Sequence, residues 1–505
     1  MDLIVATSSF LTAPGISSWG TVHGETAHAA LGLAKGLRAL GHRTTLVAPL
    51  EAATAQSGLG LARRLSPLVF HVGDGGPHER IVFDVRLPSG VELVLLGGEP
   101  PSEATDGRDA ARRWAWFGHA VTALARHRLG QVRASGENDL DAVVAVGEGA
   151  AFVPFAIREG AKAHPRDGGP SPRLLAGLER LYVPVDLGAV DLRADHRVPR
   201  EALASIGVAA ELFTPEGIEF YGQASLAKAG IVASDRVVAL GEAARTAFAR
   251  EGAPHRLDGV LRARGAEVVS VGSGVDQAQY NPATDPHLTS RFDPEDLTGK
   301  ARTRSALLAE LELDHDAALP VMVVIGAAPE QAAAEQGLVA ALGRALRGEL
   351  VVIVARTEER GDGELDTALD RLARVHPRRI AVRHRANEAF LHRALAAADF
   401  ALLLDRGGIS GTPARAALRY GTIPVAPRSP AVEEAIVDVE ASLATGTGLV
   451  VAGVGGEELF GGIQRAVSAF EHPAWKKLQR RAMRVEGGWE RAARRLVSIL
   501  QQLEA

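Results

Sequence analysis

Residues 398–427 read ADFALLLDRGGISGTPARAALRYGTIPVAP: an apolar run (FALLLD), a turn of small residues, a helical pattern from Pro413 to Leu418, and a second apolar run (TIPVAP). Both runs are continuous rather than alternating, which suits strands covered on both faces of a parallel sheet. Parallel neighbours require a crossover, and the helix between the runs supplies one. Working back from this unit, the pattern recurs as PVMVVIGA from Pro320, a helix over Glu330–Leu346, ELVVIVA, another helix, RIAVRH, and a helix near Asn387–Ala397. Repeated strand, helix, strand order predicts a doubly wound α/β domain over 291–475.

The N-terminal half carries the same signal. Short β-branched runs lie at Leu3–Ala6, Thr44–Ala48, Ile81–Val85, Glu92–Leu96, Ala142–Val146, Leu181–Val185, Arg236–Leu240 and Glu267–Val271, with helical patterns such as Ala27–Leu40 and Ala110–Leu129 among them. They predict a second domain of this class over 1–290. The linker is expected within Asn281–Thr298, which carries three prolines and no periodicity. Residues 476–505 read as a C-terminal amphipathic helix expected to pack back across the interdomain region. Two such domains in tandem place a ligand in the cleft between them, facing the carboxyl ends of their strands.

At 505 residues the chain has room for both cores, and 46% hydrophobic with 23% charged residues is an ordinary globular composition. Its formal charge of −5 is spread without long single-sign runs, which argues against a nucleic-acid partner. Zero cysteines exclude disulfides, thiolate nucleophiles and Cys-ligated metal sites. The apolar runs are strand-sized and the N-terminus MDLIVATSSF lacks a basic start, so neither a membrane span nor a signal peptide is expected. The expected compartment is the cytoplasm.

Several stretches resemble one family. FYGQASLAKAGIVASDRVVALGEAARTAF (220–248) is similar to a central block of bacterial glycogen synthases and plant starch synthases, and LDGVLRARG (257–265), VGSGVDQAQYNPATDP (271–286) and a helix start bearing Lys300 follow at family spacing. Residues 398–427 resemble the family's block around its catalytic Glu, ATGTGLVV its GTGF turn, and GLAKGLRALGHRTTLVAP an early helix and strand. The resemblance implies the GT-B fold, two Rossmann-like domains facing a central cleft. It implies transfer of glucose from ADP-glucose or UDP-glucose to the end of an α-1,4-glucan with retention, with no metal and no cofactor beyond the donor.

Such a reaction must stabilise a departing nucleoside diphosphate, so its site needs fixed cations and backbone donors aimed at the phosphates. Here the sequence departs from the pattern. The N-terminal phosphate-contacting Lys falls at about Thr21 or Val22, and no lysine precedes Lys35 and no arginine precedes Arg38. A sugar-contacting His corresponds to Pro184, with no histidine between His164 and His196. The Arg and Lys that clamp the diphosphate have no counterpart in VVIGAAPEQAAAEQGLVAAL: no arginine lies between Arg304 and Arg344, and no lysine between Lys300 and Lys476. The catalytic Glu aligns with Gly408, and no glutamate lies between Glu388 and Glu433.

What remains is Arg406 and the turn Ser410, Gly411 and Thr412 before Pro413, where a helix N-terminus can take an anion or be capped. Lys228 and Asp276 also match family positions, at element boundaries where salt bridges and turns are ordinary. Glu148 and Asp186 are the carboxylates expected on the N-domain rim. The resulting expectation is a family member of glucan metabolism that is non-catalytic or severely impaired, with a glucan or an active glycogen synthase as partner. The alternative is an active glycogen synthase with a rearranged site, in which ADP-glucose or UDP-glucose is the donor.

Overall fold

The computed structural model describes the chain except residues 11–21, 74–75, 98–106, 136–139, 163–171, 186, 188–195, 254, 326–331, 357–362, 405–410 and 505. The chain forms two compact units: one built on Thr26–Gly272 with the opening strand and the C-terminal segment from Trp489, the other on Ser273–Gly488.

The strands of the first unit are β1 (Asp2–Thr7), β2 (Arg43–Pro49), β3 (Ala62–Arg63), β4 (Leu68–His71), β5 (Pro77–Arg86), β6 (Glu92–Gly97), β7 (Ala142–Val146), β8 (Glu179–Val183), β9 (Arg197–Pro199), β10 (Glu219–Phe220), β11 (Gln223–Ser225), β12 (Arg236–Ala239) and β13 (Val268–Ser270). The main sheet runs β13-β12-β8-β7-β1-β2-β6-β5-β3, with β4 paired to β5, while β10-β11-β9 form a small antiparallel sheet. Every residue of β1 and β7 is buried, which is why their runs show no alternation. Helices α1 (Val22–Ala39), α2 (Gly107–Ser135) and α3 (Leu226–Ala233) belong to this unit's connections.

One expected parallel strand is different. β5 pairs antiparallel with β6, Asp84 opposite Val94 and Arg86 opposite Glu92. Only residues 87–91 connect the two strands, enough for a hairpin and too few for a crossover.

The second unit holds one parallel sheet, β16-β15-β14-β17-β18-β19, made of β14 (Val321–Ile325), β15 (Val351–Ala355), β16 (Ile380–Arg383), β17 (Phe400–Leu403), β18 (Ile423–Pro427) and β19 (Leu449–Val451). The stretch at 398–427 becomes β17, a helix and β18, with Phe400 opposite Ile423. Helices used below are α4 (Thr298–Glu310), α5 (Glu388–Ala397), α6 (Thr412–Arg419), α7 (Trp475–Met483) and α8 (Glu490–Glu504).

The chain enters the second unit at Ser273, ahead of the expected boundary at 290, and Asn281–Thr298 is part of that unit's fold rather than a linker. Tyr280, Leu288 and Phe292 are in its core. The polarity that suggested a linker serves turns: Oδ1 of Asn281 accepts from the Ala283 amide at 3.1 Å, Asp285 from His287 at 2.8 Å, Asp293 from Glu295 at 2.9 Å and Asp296 from Thr298 at 2.9 Å. Side chains here replace the hydrogen bonds that regular structure would make. The expected single C-terminal helix is two, α7 and α8, interrupted around Gly487 and Gly488, where the Val275 amide donates to the Gly487 carbonyl at 2.7 Å. Among the described residues no helix is long and apolar enough to cross a membrane.

Candidate functional site

In open parallel sheets a ligand crevice forms at the carboxyl ends of strands where the order reverses. In the first unit that point lies between β1 and β7, because the chain leaves β1 for β2 on one side and returns for β7 on the other. Residues 7–10, 147–151 and 184–185 leave the ends of β1, β7 and β8, and they contain no lysine, arginine or histidine. Thr7, Ser8 and Ser9 are buried, and Thr7 Oγ1 donates to the Ser9 carbonyl at 3.2 Å. Gly147, at φ 83°, is approached so closely by Thr26 that a Cβ there would lie 2.3 Å from its Cγ2. Gly149 meets Ser8 in the same way, at 2.4 Å.

Glu148 is buried, and its Oε1 accepts the Val185 amide at 2.9 Å, tying the end of β7 to the loop after β8. Burial, and then the charge of Glu148, pushes the Tyr182 hydroxyl well above its ordinary pKa. The rim carboxylate therefore organises backbone. Pro184 is buried beside it. Asp186, Thr21 and the side chain of Val22 lie outside the described residues.

In the second unit the order reverses between β14 and β17. The loops after these strands, and with them Arg406, Gly408, Ile409 and Ser410, lie outside the described residues. Gly411 and Thr412 are described at the start of α6. Gly411 is the N-cap with φ 67°, and a Cβ there would lie 2.8 Å from the Ala431 carbonyl oxygen. Pro413 occupies the first turn, and Thr412 is buried. Arg356 and Arg428, two cations that the sequence reading did not single out, directly follow β15 and β18. Arg356 Nε lies 3.3 Å from Asp366 Oδ1, and Arg428 pairs with Glu433. Their position immediately after an apolar run was the available signal.

Lys228 and Asp276 belong to different units and to local structure. Lys228 is buried on α3, and its Nζ donates to the Glu219 carbonyl at 2.7 Å and to the Pro215 carbonyl, while burial lowers its pKa. Asp276 Oδ1 accepts the amides of Ala278 at 3.0 Å and Gln279 at 3.3 Å, an Asx turn.

The blocks PATD and RYGT, far apart in sequence, meet in the second unit. Asp285 Oδ2 accepts from the Tyr420 hydroxyl at 2.5 Å and lies 2.8 Å from His392 Nδ1. His392 Nε2 lies 3.3 Å from Glu388 Oε1, which also accepts from the Tyr280 hydroxyl at 2.8 Å and Gln279 Nε2 at 3.1 Å. Burial opposes a charged ring, but the hydrogen bonds and charges of Asp285 and Glu388 outweigh it and lift His392 to about 9. Ligand atoms of Asp285, His287 and His392 lie within 4.8 Å of one another, yet the imidazolium itself supplies the positive charge that the carboxylates face. Lys300 Nζ donates to the carbonyls of Leu395 (3.3 Å), Ala396 (3.1 Å) and Tyr420 (3.0 Å) and to Thr422 Oγ1 (2.9 Å), joining α4 to the ends of α5 and α6. These family-like residues hold helices together.

The catalytic domain of starch synthase IV from Arabidopsis thaliana, solved with ADP and acarbose, superposes with a TM-score of 0.82 over 99% of both chains at 16% identity. Sucrose-phosphate synthase from Thermosynechococcus elongatus gives 0.56 at 14% identity over 100% of this chain and 99% of its own. The fold is GT-B, the architecture of these glycosyltransferases. No protein-family model matches the chain. A glycogen synthase from Anaeromyxobacter sp. (strain Fw109-5) is 30% identical over 404 residues, 80% of each chain. One from Leptothrix cholodnii is 33% identical over 314 residues, 61% of this chain and 63% of its own. The chain belongs to the glycogen synthase family.

Proposed function

We propose that this chain acts in α-1,4-glucan metabolism without turning over a nucleotide sugar, as a glucan binder or as a partner of a working glycogen synthase. The observation that supports it is the charge at the strand ends. Residues 7–10, 147–151 and 184–185, which leave the ends of β1, β7 and β8, carry no cation, the loop 326–331 reads GAAPEQ, and Gly408 stands where the family resemblance places the catalytic Glu. A departing diphosphate needs fixed positive charge, and each lost donor of this kind costs about 10²–10³ in rate. Losses among groups that act together do not simply add, but several missing at once leave little catalysis to build on. A nucleotide sugar is then at most a weak ligand and no metal or other cofactor is called for; the cytoplasm is the compartment this reading expects.

Calorimetry with ADP and ADP-glucose tests it. The expected result is no saturable heat at millimolar nucleotide, together with co-sedimentation with glycogen for the binder or co-purification of an active synthase for the partner. The alternative is a transferase with a rearranged clamp, for which Arg356, Arg406 and Arg428 are among the cations following strands of the second unit. Saturable ADP-glucose binding that is lost in Arg406→Ala or Arg428→Ala would replace the first reading with the second.

A further inference from the structure

Away from the carboxyl-end crevice, the first unit contains a cavity of about 660 Å³ at the amino ends of β2 and β6. Its floor is a face of the sheet. Thr45 lies opposite Glu92, and Glu92 opposite Arg86; in the next row Val94 lies opposite Asp84, and Asp84 opposite Ala62. Residues directly opposed on neighbouring strands share a face, so these side chains form two rows under one roof. The wall is α2, which contributes Leu124, His127, Arg128 and Gln131, a spacing that occupies one helix face. A helix face turned to a sheet is ordinarily apolar, yet three of these four residues are polar.

The charges in this groove are only partly matched. Arg64 makes a two-point contact with Asp84, Nε to Oδ2 at 2.6 Å and Nη2 to Oδ1 at 2.7 Å. Arg128 Nη2 donates to the buried Asp2 at 2.9 Å, and Arg43 Nε stands 3.8 Å from both Asp2 and Glu92. Arg86 is exposed and has no ion pair among the described residues. The lining thus holds four guanidinium groups, of Arg43, Arg64, Arg86 and Arg128, and two carboxylates, of Asp84 and Glu92, with the buried Asp2 behind Arg43 and Arg128. Burial pushes Asp2 up in spite of Arg128 and Arg43, and among the described residues its Oδ1 has no hydrogen-bond partner.

We propose that this groove binds a sugar phosphate, with Arg86 and Arg43 taking the phosphoryl oxygens and Asp84, Glu92 and Gln131 the sugar hydroxyls. Guanidinium groups match phosphoryl geometry, and interspersed carboxylates suit hydroxyl donors while repelling an extended polyanion. The volume falls within the range of about 300–1,000 Å³ for small-molecule sites. The site is separate from the strand-end crevice, so it stands whether or not the chain turns over a nucleotide sugar.

Titration of the full chain with glucose 1-phosphate, glucose and inorganic phosphate tests the proposal. Saturable binding of glucose 1-phosphate, tighter than that of either half alone, is expected. Arg86→Ser should weaken it by about 10-fold or more, the scale of one lost charge-assisted hydrogen bond, and leave the melting temperature unchanged because the side chain is exposed. Gln131→Ala should weaken glucose 1-phosphate but not phosphate. Absence of saturable binding, equal affinity for phosphate alone, or wild-type affinity in Arg86→Ser would overturn the assignment.

Discussion

His392 shows how a residue type that suggests chemistry can instead carry packing. Its ring sits between Asp285 at 2.8 Å and Glu388 at 3.3 Å, and its pKa stands at about 9, above the ordinary 6.5. A pKa raised by folding means that the charged ring stabilises the native state fully below the unfolded value, and that this contribution is lost as pH rises through the folded one. Urea unfolding should therefore show a larger gap between the wild type and His392→Gln at pH 6 than at pH 10; an equal gap at both would refute the charged-ring account. Tyr420→Phe removes the donor to Asp285 Oδ2 and should cost about 1–3 kcal/mol in the same assay. Gly411→Ala meets two obstacles, φ 67° and the Ala431 carbonyl 2.8 Å from the added Cβ, and should cost about 1–3 kcal/mol. The sequence could name Asp285 and Tyr420 only as members of two family-like blocks. Their contact spans 135 residues, which no local pattern encodes.

Among the elements, the buried parallel strands were legible because a strand covered on both faces leaves a continuous apolar run; the expected 142–146 coincides with β7. β5 was misread as parallel because an apolar run carries no direction, and only the length of the connection to β6 settles it. The C-terminal helix was read as one because its apolar periodicity continues past a pair of glycines. α8 follows Trp489, which packs on α1 where Gly32 leaves space: a Cβ at Gly32 would lie 2.1 Å from Trp489 Nε1, and one at Gly36 2.9 Å from the Trp489 carbonyl oxygen. Gly32→Ala should therefore displace the indole and cost about 1–3 kcal/mol as overpacking, read by thermal unfolding alongside Trp fluorescence. Unchanged stability and emission would show that this helix does not depend on the space left by Gly32.

For the whole molecule, the proposed function holds that the blocks carrying the family resemblance persist while the residues that would perform its chemistry do not. Lys300, Asp285, His392 and Tyr420 form a connected polar core in the second unit, and Lys228 secures backbone in the first. These contacts hold the fold together. The absence of any arginine from 305 to 343, on which the proposed function leans, was legible whatever the alignment. Arg356 and Arg428 could have been found from their place directly after apolar runs, whereas the groove beside α2 could not, since it depends on sheet register. The most direct test of the central claim is release of ADP or UDP from ADP-glucose or UDP-glucose in the presence of glycogen. Release no faster than in buffer is the predicted result, and release above that control that rises with the amount of this protein would contradict it.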